Sequence, residues 1–170
     1  MDNSNPLKKP IKAPTPNPLA QYYRRPGTHI ELPSGGRFYK VPPKMSDTGE
    51  LAVYPMTAKD ELALKNPDGL LNGEALKQVL SSVCPDIANV SEIPAPDIDA
   101  ILVAMRMASY GDDMELDVNH NCEQSAGRSQ RITVGLGSVL ATLKSIPEGI
   151  GEVTLANGIK VSLKPYTLDA

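Results

Sequence analysis

Two histidines, two cysteines and a string of carboxylates are the residues of this chain with chemistry to offer. His120-Asn121-Cys122 places two soft metal ligands within three positions. A structural zinc site takes four ligands, commonly as two Cys-x-x-Cys pairs. The position three after Cys122 is Ser125, and Cys84 lies 38 residues upstream in a different predicted element. Three dispersed ligands without that spacing predict a polar loop holding a free thiol, so no metal or other cofactor is expected. Nucleophilic catalysis needs a nucleophile with a base held beside it. His29 falls in a predicted strand, and no Gly-x-Ser-x-Gly elbow is present. Asp97 and Asp99, and then Asp112, Asp113, Glu115 and Asp117, would suit acid–base work only if other catalytic groups converged on them. The plainer reading makes the first pair favourable charge at a helix N-terminus and the rest a solvated acidic edge. Ser34-Gly35-Gly36 leads into a strand-like run, and Gly135-Leu136-Gly137 lacks the full glycine spacing, so neither is a phosphate cradle. The expectation is a protein that is not an enzyme.

Charge is divided along the chain. Residues 1–27 carry Lys8, Lys9, Lys12, Arg24 and Arg25 against Asp2, a net of +4, and the remaining residues have a net of −7. The acidic body argues against nucleic acid as the main partner. Residues 1–27 also hold six of the sixteen prolines. Proline fixes φ and removes a donor, so helix and central strand are excluded and an extended arm is predicted. Within the arm, Leu19, Tyr22, Tyr23, Arg24 and Arg25 combine apolar, aromatic and guanidinium groups, the residue types that anchor interfaces. They are the expected partner-binding residues.

The rest, 28–170, is predicted to be a single α+β domain, with β segments over 28–56, helices over 57–111 and a β-rich end over 112–170. Thr28–Leu32 and Arg37–Val41 alternate on either side of a Pro33–Gly36 turn and read as a hairpin or sharp reversal. Glu50–Met56 reads as a third strand. Thr57 and Asp60 form a capping box for a helix over 58–65, stopped at Asn66-Pro67. Gly73–Val83 is a second helix. Ile98, Ile101, Leu102 and Met105 give a third one face, with Gly111 as its C-cap. Met114–Val118 and Ile132–Val134 are strands around a loop over 119–131, and Val139–Leu143 is a short helix. Asn157-Gly158 between two alternating runs is the strongest hairpin signal in the chain. Aromatic residues are only 4% of the total, so the core must be aliphatic. No signal-peptide h-region and no run of about 18 apolar residues is seen, which predicts a chain neither secreted by that route nor spanning a membrane.

Several short blocks occur in a telling order: Leu-Pro-Ser-Gly-Gly-Arg-Phe-Tyr at 32–39, Met-Thr-Ala-Lys-Asp-Glu at 56–61, Asn-Pro-Asp at 66–68, Leu-Asn-Gly at 71–73, Pro-Ala-Pro-Asp-Ile-Asp at 94–99, and Arg106, Ala108, Tyr110 and Gly111. Over about residues 30–118 the chain resembles baseplate proteins of contractile-tailed, T-even-type bacteriophages. The resemblance implies a virion component of the baseplate hub region, made in the host cytoplasm. It also implies partners among other tail proteins, copies of this chain included. Members of this kind commonly carry Cys-x-x-Cys after the strand that follows the last block. This sequence departs there, with His120, Cys122 and Ser125. Two other readings stand beside the structural one: an assembly chaperone not retained in the virion, and a small zinc or nucleic-acid-binding module. The arm lies outside the resemblance.

Overall fold

A computed structural model describes residues 23–120, 128–143, 145–147 and 151–169. The fold is α+β, with small antiparallel hairpins, a helical middle and a C-terminal hairpin, as expected. Strand β1 (Thr28–Glu31) pairs antiparallel with β2 (Glu50–Val53), so that Ile30 lies opposite Leu51 and both turn into the core.

The strand expected at Arg37–Val41 does not form. Phe38 takes a positive φ of 71°, which breaks an extended run. The side chains on either side are committed to tertiary hydrogen bonds instead. Arg37 donates from Nε to Ser34 O, and Tyr39 donates to the Asp97 carboxylate. The partner of β1 is therefore β2, after a thirteen-residue step across 37–49.

Thr57 caps α1 (Ala58–Leu64) with both halves of the capping box in place. The Asn66-Pro67 stop is also a start. Asn66 caps a short helix α2 (Pro67–Leu71), with proline in the first turn where its missing N–H costs nothing. This helix was not expected. Helix α3 (Glu74–Val83) buries Ala75, Val79, Leu80 and Val83. Helix α4 (Ala95–Tyr110) buries Ala100, Ile101, Ala104 and Met105, and Ile98 and Leu102 pack at the margin. Gly111 closes it at φ 92°. The core is aliphatic: Leu51, Val53, Val79, Leu80, Val83, Ile93 and Ile101 are all fully buried.

Beyond α4 the chain forms a longer hairpin than expected, β3 (Asp113–His120) against β4 (Arg128–Gly135). Helix α5 (Leu136–Thr142) follows directly and starts three residues earlier than predicted, with the Asp112 carboxylate accepting from Gly137 N at 2.7 Å. The Asn157-Gly158 hairpin forms as β5 (Glu152–Thr154) and β6 (Lys160–Ser162). The tail then returns to the helices. Ala95 N donates to Tyr166 O at 2.8 Å, and Lys77 pairs with Asp169 at 2.7 Å.

Candidate interaction surface

The predicted arm anchors divide at Tyr23. Leu19 and Tyr22 lie outside the described residues. Tyr23, Arg24 and Arg25 are exposed at the base of the arm. Arg24 is held by its own chain. Its guanidinium donates to Ser82 O at 2.7 Å and to Pro55 O, and it stacks over the Tyr54 ring at 5.4 Å. Nearby, the buried Asp60 carboxylate accepts from Thr57 N, Thr57 Oγ1 and Ser82 Oγ at 2.7–2.8 Å. Burial opposes ionisation of Asp60, but these hydrogen bonds and the Arg24 charge outweigh it and hold its pKa below the ordinary value. Gly27 completes the seat. A Cβ there would stand 2.6 Å from Ala108 Cβ, so only glycine lets the strand lie this close to α4. The arm therefore leaves the body from a fixed root between α3 and the last turn of α4.

A second carboxylate is buried at the other end of α4. Asp97, in its first turn, has no exposed surface. It accepts from Ser34 N at 2.7 Å, from Ser34 Oγ, and from Tyr39 OH at 2.8 Å. Desolvation dominates here and raises its pKa, with the three hydrogen bonds acting against the shift. The sequence offered Asp97 as helix-terminal charge. It does sit in the first turn, but its main work is to clasp the 33–39 loop to α4. Asp99 is exposed.

The blocks read in the sequence thus meet in space. Block 32–39 meets block 94–99 through Asp97. Block 56–61 meets the end of α4 twice: Tyr110 OH donates to Glu61 at 2.8 Å, and Met56 N donates to Ser109 Oγ at 2.9 Å. Arg106 lies over the Tyr110 ring at 4.5 Å. These residues hold elements together, and no nucleophile–base pair is among them. Cys84 is buried, and burial together with the nearby Asp86 pushes its thiol up to about 12, so it is an inert core residue. Among the described residues no three His, Cys, Asp or Glu side chains gather to hold a metal, and Cys122 lies outside them.

The blocks therefore mark a scaffold, and the family comparison agrees. A family model described as T4 bacteriophage base plate protein matches residues 26–170. The chain belongs to the T4 bacteriophage base plate protein family. The match extends the resemblance from about 118 to residue 170 and leaves residues 1–25 of the arm outside it. No match was found among curated proteins or solved structures. Membership implies a structural role in the phage baseplate, in a family that is typically non-catalytic, with other tail proteins as partners. No helix among the described residues is long and apolar enough to cross a membrane.

The surfaces that sequence reasoning missed are the faces of the two hairpins. In β5–β6, Val153 lies opposite Val161, Leu155 N donates to Ile159 O, and Leu163 N donates to Gly151 O. Alternation puts Val153, Leu155, Ile159, Val161 and Leu163 on one face. Val153, Leu155, Ile159 and Leu163 are 45–55% exposed. In β3–β4, Met114, Leu116 and Val118 share a face with Ile132 and Val134, while Asp113, Glu115 and Asp117 share the other with Arg131. The alternating runs were visible in the sequence, but not that these faces would remain uncovered.

Proposed function

We propose that this chain is a structural component in or near the central hub of the baseplate that holds neighbouring subunits together. The observation that carries this reading is the pair of amphipathic hairpins. A two-stranded hairpin is marginal by itself in water, and a contiguous aliphatic face invites a partner. Both hairpins project from a clasped aliphatic core, so a docking subunit meets a prepared surface. The arm adds reach. Its 22 residues before Tyr23 span up to about 70 Å when extended, and Tyr22, Tyr23, Arg25 and Leu19 supply anchors along a neighbour.

Mass spectrometry of purified tails beside assembly intermediates tests the reading. The chain should be found in mature tails at a fixed stoichiometry. Presence in intermediates and absence from tails would overturn it and assign the chain to assembly instead. Subunit contacts mapped by cross-linking should concentrate on 113–118, 130–134 and 153–163.

A further inference from the structure

The prolines of the arm share a parity. Pro6, Pro10, Pro14, Pro16 and Pro18 all stand at even positions. In an extended chain successive N–H groups point to opposite sides, so the lost donors all fall on one side. Every odd residue from Leu7 to Asn17 keeps its N–H on the other. Proline is tolerated in a sheet only where its donor side faces solvent, at an edge. Residues before proline are also steered to extended geometry. The arm thus carries the pattern of an edge strand with one side able to pair.

An open edge of matching character lies on β3. Among the described residues its sheet has two strands. Leu136 N donates to Asp112 O at 2.9 Å, in the register that pairs Asp113 with Gly135. Even residues of β3 therefore bond to β4, and Asp113, Glu115 and Asp117 turn their backbone groups to the open edge. Their side chains are exposed, and among the described residues Arg131 answers two of them, Glu115 at 3.7 Å and Asp117 at 3.0 Å. Acidic residues along an edge keep like strands apart. They also favour a basic one. Arm residues 1–22 carry Lys8, Lys9 and Lys12 against Asp2.

We infer that residues 6–15 of one copy add as a third strand, parallel to β3, on a second copy of this chain. This deepens the tether reading and rests on it. The parallel direction follows from the donor pattern. In a parallel pair an inward-bonding residue lies opposite one that bonds away. Odd arm residues must then face even β3 residues. One register sets Lys8 opposite Asp113 and Lys12 opposite Asp117, with Lys9 opposite Met114, Ile11 opposite Leu116 and Ala13 opposite Val118. Lys8 and Lys12 meet the acidic face, Lys9 falls on the aliphatic one, and Ile11 and Ala13 extend it. The second copy follows from where the arm is rooted. Pro55, which holds Arg24, adjoins Met56, whose N–H bonds Ser109 next to the start of β3. A parallel arm runs away from that point, and a return to its own root would need a reversal that Pro14, Pro16 and Pro18 disfavour by their fixed φ. Beside β1 the edge is less open, since Ile146 N donates to Pro33 O at 2.7 Å.

Amide exchange on the full chain at high concentration tests this. The N–H groups of Lys9, Ile11 and Ala13 should exchange at least about tenfold more slowly than those of Lys8 and Lys12. Dilution should erase the difference. Ala13→Pro removes one inward donor without changing charge and should also erase it, whereas Ala13→Gly should keep it. Equal exchange at odd and even positions overturns the pairing. An alternating pattern that survives dilution overturns the second copy as the receptor. Neither result bears on whether the chain is found in purified tails, so failure here and failure of the baseplate reading are separable.

Discussion

Residues 28–110 and residues 113–163 of this chain solve the same problem in opposite ways. The first stretch encloses its apolar side chains. Leu51, Val53, Val79, Leu80 and Ile101 are fully buried, and two buried carboxylates tie its loops to its helices. The second stretch makes regular strands and leaves much of their aliphatic faces in water. An amphipathic strand stabilises a fold only when something covers its apolar face. The contrast separates a part enclosed by its own contacts from a part that leaves aliphatic faces exposed, and the proposed subunit-holding role assigns those faces to neighbours.

Substitutions in the first stretch should break the fold, and the largest effect is expected at Leu51. Leu51→Ala empties a site with no exposed surface and should cost about 3 kcal/mol, read as a lower denaturant midpoint with unchanged slope. Asp97→Ala should cost about 2 kcal/mol, because Ser34 N, Ser34 Oγ and Tyr39 OH lose their acceptor in a buried site. The two carboxylates also differ in sign with pH. Asp97 has a raised folded pKa, so its ionisation opposes folding: stability should fall as pH rises from the ordinary value of 3.8 through the raised value. Asp60 has a lowered one, so its contribution is full above 3.8 and is lost as pH falls through the lowered value. Unfolding titrations should show the first slope removed by Asp97→Asn and the second by Asp60→Asn. The same slope in both variants would refute the assignment.

The local signals were legible and the distant ones were not. The Thr57–Asp60 capping box, the Gly111 cap, the apolar period of α4 and the Asn157-Gly158 turn all act within a few residues, and each forms where the sequence places it. Asn66-Pro67 carries two meanings, a stop for α1 and a cap with a first-turn proline for α2, and both are realised. The alternation at Arg37–Val41 was overruled by a tertiary demand, since Tyr39 is needed at Asp97, 58 residues away. Arg24 is a similar case. Its residue type marks an anchor, but its partner Ser82 is also 58 residues distant. Absence of catalytic spacing could be read directly, whereas the uncovered hairpin faces depend on how the whole chain folds around them.

The smallest effect on stability, and the sharpest test of the contrast, belongs to the C-terminal hairpin. Ile159 is 55% exposed beside the Asn157-Gly158 turn, opposite Leu155. Ile159→Ser removes little buried area and leaves the turn intact, so the isolated chain should lose no more than about 0.5 kcal/mol. In an assembly the same side chain would lie in a packed aliphatic interface, where losing it costs several times as much. The paired measurement is unfolding of the purified variant and its incorporation into tails in competition with the unaltered chain. Near-normal stability with strongly reduced incorporation supports the division. Equal incorporation would mean that this face meets nothing, and the second stretch would then need another account of its exposed strands. A large loss of stability in the isolated chain would break the contrast from the other side, since Ile159 would then be supporting the fold and not a neighbour.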